Sequence, residues 1–533
     1  METLKNKKVF FLIAIASVSL LITGLTSELY LGDEVYHYRF AKDMFEAGKR
    51  VSHDSLYESG TPPGFFYATD PLWDGILAVL WRIMGRVSFP VAQIYHTCFY
   101  ALLLIFTYLV GEKIFGKEEG AWSCLIVATM PMTAAFGILF YVDVPATALS
   151  ILAFYFVIHK KYLWSGLTFS LVYLTKRNAC FLVPAMALIP LYSEREGLLK
   201  KLRNLSFLLI PLGVTFFWDL RWRYLNIESS KLQIPGYGIT QNMPIQSVPI
   251  ENVTIRSATF LENILSRVRY NFWGTKEYLN SSLINLLDLA KYLGVALILF
   301  FVFYFLFGLF RKEKKEIKVL IFGLLTSYLV FFLFLFGFNS DIRYIFPIVP
   351  FLCLLASKSV ISFQRKWVSV LTVGICLVQF GATLIYVHTQ RQIPNEIKEG
   401  FSYIKVHFPK DALLMYPEYS LLEATERRFI WSSFFDVEQG LLASKYPEYH
   451  RDMSRMFFWN SNIEDVMMSL RINKVDYIVV KKSRIYDDSK VKHFGGYPKS
   501  FVQRMPGLPF LKLVFENKGM SIWEVRKECL PPL

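Results

Sequence analysis

Ten residues of this sequence could do acid, base or phosphate-binding chemistry where a polar side chain needs explaining: Asp33, Glu34, His37, Asp70, Asp143, Lys176, Arg177, Asp341, Arg343 and Tyr344. Asp33 and Glu34 are adjacent carboxylates, followed by His37. Such a pair beside a membrane can supply a general base together with a metal or hydrogen-bond anchor. A helix start is the competing explanation. Residues 34–48 form an amphipathic stretch and Asp33 suits its N-cap, which leaves Glu34 and His37 without a role. Asp143 lies in Tyr-Val-Asp-Val-Pro, 141–145, between two apolar segments. An ionisable group at that depth is costly and is usually functional or paired. The alternative is a solvated turn, with Pro145 opening the next helix. Lys176 and Arg177 interrupt the apolar stretch 162–192 and suit an anionic phosphate, unless that turn is cytoplasmic. Arg343 either holds a phosphate oxygen or snorkels with Tyr344 to lipid headgroups, and Asp341 stands beside it. Asp70 precedes Pro71 and a short apolar run, as a cap or as a site residue.

The elements that must position these residues are membrane helices. The chain has 533 residues, 54% of them hydrophobic and 19% charged, with 48 phenylalanines. Its mean hydropathy is +0.36, which points to lipid as the solvent for much of it. The formal charge of +15 gathers between apolar segments, as cytoplasmic loops require, and this pattern argues against nucleic acid binding. Five of the six cysteines lie in apolar stretches and none forms a CxxC pair, which argues against a disulfide framework or a zinc site. Basic residues before the apolar run 9–25 resemble a signal peptide, but the many later spans favour an uncleaved first span.

Spans are expected at 9–28, 92–111, 121–138, 139–158, 204–222, 288–310, 318–337 and 366–386, with shorter apolar runs at 72–86, 162–175, 179–192 and 344–357. The basic run 311–318 anchors the cytoplasmic side. If 72–86 is re-entrant or lies on the surface, about eleven helices span, with the N-terminus inside and the C-terminus outside. The outer face then receives 29–91, the turns at 141–145 and 175–178, the loop 223–287, the turn at 339–344, and 387–533. Composition changes after Arg391. Runs at 412–416, 428–432, 475–480, 511–516 and 521–525 read as strands, and 393–407 and 462–471 as helices, giving a small soluble α/β domain at 391–533. It contains no phosphate loop and no nucleotide fingerprint.

Taken in order, these features resemble the GT-C superfamily of membrane glycosyltransferases. They are the acidic pair after the first span, Asp70-Pro71-Leu72 before a juxtamembrane run, Asp143 between the third and fourth spans, the Thr175-Lys176 turn, and Arg343-Tyr344 with Pro347. The branch most similar is that of the protein O-mannosyltransferases and lipid A aminoarabinose transferases. The family's usual Pro-Pro-Leu is Asp70-Pro71-Leu72 here, with paired prolines earlier at Pro62-Pro63. The resemblance covers roughly 1–390, a transmembrane GT-C-like catalytic module with 29–91 as first outer loop carrying juxtamembrane helices and 223–287 as a second outer loop.

The resemblance implies transfer of one hexose or pentose from a polyprenyl-phosphate donor, of the dolichyl-phosphate-mannose type, to an acceptor hydroxyl on the outer face, with inversion. Asp33 would be the base, with Glu34 beside it. Lys176, Arg177, Arg343 and Tyr344 would bind the donor phosphate. His37, Asp70, Asp143 and Asp341 would hold substrate or a divalent metal. No nucleotide is implied. The implied partners are the lipid-linked donor, a glycan, lipid or protein acceptor, and membrane lipids, and the implied location is a bacterial inner or plasma membrane. A transporter or lipid flippase, and a non-catalytic membrane subunit, are the competing readings. A transporter places charges near the midplane and shows inverted repeats, whereas here the charges collect at one face and no repeat is present.

Overall fold

The computed structural model describes residues 7–29, 32–48, 71–192, 197–232, 323, 342–362, 366–416, 420–431, 463–472, 474–486 and 497–531. The chain divides into two compact units, one comprising Met1–Thr26 with Asp70–His388, the other Ser27–Thr69 with Thr389–Leu533. The described residues 32–48 thus group with the C-terminal residues from Thr389 onward.

The first unit is helical. Helix α1 (Lys7–Leu25) buries Val9, Ile13, Ala16, Leu20 and Gly24 on one stripe. Phe10, Phe11, Ile15, Val18 and Ile22 stay exposed on the other side, as a lipid-facing helix requires. Helix α2 (Gly32–Ala47) belongs to the second unit. Helix α3 (Pro71–Met84) has 14 residues, and at about 1.5 Å each these fall short of a bilayer core of about 30 Å. Helices α4 (Phe89–Ile114), α5 (Lys117–Thr129), α6 (Pro131–Ile138), α7 (Asp143–Ile158) and α8 (Tyr162–Thr175) follow. After a 3-10 turn (Arg177–Leu182) come α9 (Val183–Tyr192) and α10 (Leu198–Leu232). A second 3-10 turn (Ile342–Ile348) leads into α11 (Val349–Ser362) and α12 (Lys366–Gln390). Among the described residues, three helices are long and apolar enough to cross a membrane, or four if α5 and α6 form one span. The expected spans 288–310 and 318–337 lie outside the described residues, Gly323 excepted.

Three boundaries differ from expectation. The run 121–138 is bent by 60° at Met130 and Pro131, because proline cannot continue the hydrogen-bond ladder. The run 139–158 becomes helical only at Asp143, so residues 139–142 form the turn before it. The expected loop 223–287 is helical up to Leu232, as the end of α10.

The bend and the end of α6 release backbone carbonyls that must find donors away from water. Helix α4 supplies them from one stripe. Tyr100 Oη donates to the Ala128 carbonyl at 2.8 Å, Gln93 Nε2 donates to Ile138 at 3.1 Å, and His96 Nε2 lies 2.7 Å from the Phe136 carbonyl. A carbonyl only accepts, so His96 Nε2 carries its proton. The spacing 93, 96, 100 is the spacing of one helical face. Close backbone approaches hold the same bundle. A Cβ built on Gly111 would meet the Gly120 Cα at 2.7 Å, and one on Gly166 would meet the Phe207 and Leu208 carbonyl oxygens at 2.6 Å.

The second unit is built on a five-stranded mixed sheet. In chain order it contributes α13 (Asn395–His407), β1 (Leu413–Tyr416), α14 (Ser420–Thr425), β2 (Arg428–Trp431), α15 (Ile463–Ile472), β3 (Tyr477–Lys481), the short pair β4 (Ile485–Tyr486) and β5 (Tyr497–Pro498), α16 (Lys499–Arg504), β6 (Leu511–Glu516) and β7 (Met520–Val525). The strand order is β2-β1-β3-β7-β6. β1 runs parallel to β2 and β3, while β7 is antiparallel to β3 and β6. Alternating residues of the central strands, Leu413 and Met415, Ile478 and Val480, bury into one core with Val466, Leu470, Phe501 and Trp523. Helix α13 approaches β7 closely: a Cβ on Gly400 would lie 2.5 Å from the Met520 sulfur.

Candidate functional site

In the helical unit, α7 and α8 pack as an antiparallel pair, so the start of α7 and the end of α8 meet at one end of the bundle. Asp143 is the first residue of α7 and Lys176 the residue that caps α8. Lys176 Nζ forms an ion pair with Asp143 Oδ1, and Asp143 is 2% exposed. Both charges suit their helix ends, a carboxylate at the positive start and an ammonium at the negative end. Arg177 follows immediately and opens the 3-10 turn Arg177–Leu182. The segment Ile342–Ile348, which carries Arg343 and Tyr344, packs against α7 and against that turn, with Phe346 5.6 Å from Phe136. The structure thus gathers at one end the turns that hold Asp143, Lys176, Arg177 and Arg343-Tyr344.

Two buried carboxylates of the helical unit are not among the residues picked out from sequence. Asp219 of α10 is 1% exposed and accepts a hydrogen bond from Tyr173 Oη at 3.1 Å, three residues before Lys176. Asp74 is fully buried in the first turn of α3, next to Trp73, which stacks on Tyr95 at 4.2 Å. Each was visible as a single acid inside an apolar run, 204–222 and 72–86.

In the second unit, α2 begins at Gly32, so Asp33 lies inside the first turn instead of capping it. Glu34 is fully buried. Its carboxylate is gripped by Arg391, with Nε to Oε1 at 3.2 Å and the second guanidinium nitrogen to Oε2 at 3.1 Å. The remaining guanidinium nitrogen of Arg391 donates to Ser27 Oγ at 2.9 Å. His37 packs edge-on against Tyr36, ring centres 5.2 Å apart. One turn further, Arg39 pairs with Asp43 at 3.0 Å, yet burial pushes the Asp43 carboxyl up to about 6 despite that neighbour.

The side chains of Asp33, Arg343 and Tyr344, and the whole of Asp70 and Asp341, lie outside the described residues. Among the described residues, no three His, Cys, Asp or Glu side chains come together as a metal site. Glu34 and Asp143, two carboxylates considered for a metal, each face a cationic partner, which fits an ion pair better than a metal shell.

The family model for dolichyl-phosphate-mannose-protein mannosyltransferases matches residues 69–218, the stretch that contains Asp143, Lys176 and Arg177. ArnT from Cupriavidus metallidurans bound to undecaprenyl phosphate superposes with a TM-score of 0.54 over 97% of this chain and 98% of that one, at 12% identity. The chain has the GT-C fold. The oligosaccharyltransferase of Archaeoglobus fulgidus in the apo form gives 0.56 over 99% of this chain and 76% of that one, at 13% identity. The same archaeon's AglB, with an inhibitory peptide and dolichol-phosphate, gives 0.53 over 90% and 70%, at 14% identity. No curated protein matches by sequence. Among the described residues, the long apolar helices of this chain have the length and composition of membrane spans.

Proposed function

We propose that the chain is a glycosyltransferase that moves one sugar from a polyprenyl-phosphate donor to an acceptor hydroxyl. The observation that carries the reading is the convergence of the Asp143, Lys176-Arg177 and 342–348 turns at one end of the helical unit. A lipid-linked donor presents its phosphate where helices meet water, and cations at that level lower the charge of the departing phosphate. In this reading Asp143 fixes where the Lys176 ammonium points, and Lys176, Arg177 and Arg343 together bind the donor phosphate.

Asp33 is the base in this reading. It takes the proton of the acceptor hydroxyl, the oxygen attacks the anomeric carbon opposite the phosphate, and the carbon–oxygen bond to phosphate breaks with inversion. The electron pair leaves on the lipid phosphate. An acidic residue in the first turn of α2 is electrostatically welcome there. No step requires a nucleotide or a metal. About eleven spans, a cytoplasmic N-terminus, and an outer-face location for the site and for 391–533, in a bacterial inner membrane, complete the proposal. Similarity to proteins solved with undecaprenyl phosphate or dolichol-phosphate supports the donor class.

The test is sugar release by the purified protein in lipid, with a panel of radiolabelled polyprenyl-phosphate sugars and candidate acceptors. Turnover of one donor, abolished by Asp33→Asn while donor binding persists, is the expected result. Failure to turn over any donor removes the proposal, and equal turnover by Asp33→Asn removes Asp33 as base.

A further inference from the structure

The unit formed by Ser27–Thr69 and Thr389–Leu533 contains a second buried ion pair, far in sequence from the first. We infer that Arg391 is a positioning residue for the acidic pair Asp33-Glu34, acting through a latch that joins residues 27–34 to residues 391–398. The inference rests on the proposed role of Asp33 as acceptor base.

Three observations carry it. Arg391 and Glu34 meet side-on, two nitrogens to two carboxylate oxygens, and both side chains are 0% exposed. Arg391 also donates to Ser27, so one guanidinium holds the chain on both sides of residues 28–33. Glu28 closes the same stretch a second time. Its Oε2 accepts the Ile393 backbone N–H at 2.6 Å, and its Oε1 pairs with Lys398 at 2.6 Å.

Stability alone does not explain a buried charge pair, since well-packed apolar side chains at such positions serve as well or better. Geometry does. A planar guanidinium that donates one hydrogen bond, from Nε to Oε1, and brings a second nitrogen to 3.1 Å from Oε2 restricts direction as well as distance. Glu34 shares a peptide bond with Asp33, so fixing Glu34 fixes the backbone from which Asp33 extends. A base must lie within hydrogen-bond reach of the hydroxyl it deprotonates, and a misplacement of about 1 Å lowers turnover by about a hundredfold. The arrangement therefore divides the acidic pair. Glu34, with both oxygens held, orients, and Asp33 reacts.

The experiment uses the full chain in nanodiscs, comparing wild type with Arg391→Met, Arg391→Lys and Ser27→Ala. The readouts are kcat, donor KM, and amide hydrogen exchange over residues 32–40. Arg391→Met is expected to lower kcat by about ten- to a hundredfold with donor KM little changed, and to speed exchange in the first turn of α2. Arg391→Lys recovers part of the kcat, and Ser27→Ala loses less than Arg391→Met in the same parameter. Unchanged kcat in a folded Arg391→Met protein overturns the inference, as does a fall in kcat with no change in exchange. If Arg391→Met does not fold, Arg391→Lys and Ser27→Ala decide, and wild-type kcat in both overturns it. If wild type turns over no donor, the glycosyltransferase reading fails by itself. The exchange data then judge the latch alone, which stands if Arg391→Met loosens residues 32–40 and falls if it does not.

Discussion

Lys176 closes α8, Asp143 opens α7, and their two buried side chains pair at one end of the helical unit. Removing one partner leaves the other charge buried without its counter-ion, which costs about 3–5 kcal/mol, whereas removing both is close to neutral. Lys176→Met is therefore expected to lower stability by that amount, and Asp143→Asn combined with Lys176→Met to restore most of it. Unfolding followed by tryptophan fluorescence in detergent gives both values. Equal stability of wild type and the single variant would show that the pair contributes nothing.

Tyr100 reaches across to the Ala128 carbonyl at the bend between α5 and α6. Tyr100→Phe keeps the ring and strands that carbonyl, a loss of about 1–3 kcal/mol. The measurement is the same unfolding curve. A change below a few tenths of a kcal/mol would mean that another donor serves Ala128.

Two glycines on contacting helices give opposite expectations. A methyl group on Gly166 would sit 2.6 Å from two carbonyl oxygens of α10, and backbone cannot move aside as a side-chain tip can. Gly166→Ala should cost about 1–3 kcal/mol or more by forcing α8 and α10 apart. Gly213, in the exposed part of α10, has no atom within 4 Å of a built Cβ, so Gly213→Ala should be neutral or slightly stabilising through helix propensity. Similar losses in the two variants would refute the packing argument.

Asp43 predicts a pH effect whose sign follows from its environment. Burial raises its carboxyl from 3.8 to about 6, with Arg39 opposing. Between those values the folded chain holds a proton that the unfolded chain releases. Its contribution is thus most favourable below about pH 4 and declines as pH rises through about 6. Asp43→Asn should flatten that part of the stability profile. Parallel melting profiles of the two proteins across this range would sink the argument.

Much of this architecture could be read from local pattern. The strands at Leu413–Tyr416, Tyr477–Lys481 and Leu511–Glu516 fall on the apolar runs expected for them, because a strand is specified by a few consecutive residues, and the first two are buried almost continuously. Loop charge brought the turns at 141–145 and 175–178 to one face, and the structure joins Asp143 to Lys176 across them. What stayed hidden depends on tertiary contact. Nothing local marks Arg391 as the partner of Glu34, 357 residues earlier. The run 121–138 reads as one span because apolar content carries no direction, and the bend at Pro131 appears only in the structure. Asp74 and Asp219 were present as isolated acids, and only their burial sets them apart.

The latch between Glu34 and Arg391 also bears on how the chain is made. At about 5–20 residues per second, the ribosome needs roughly 20 to 70 s to advance the 357 residues from one partner to the other. During that interval the Glu34 carboxylate lacks its folded-state partner Arg391. The segment 27–34 therefore cannot reach its final packing until the chain has been extended to Arg391. Its closure waits until residue 391 has been made, which makes translation past Arg391 the event that fixes Glu34.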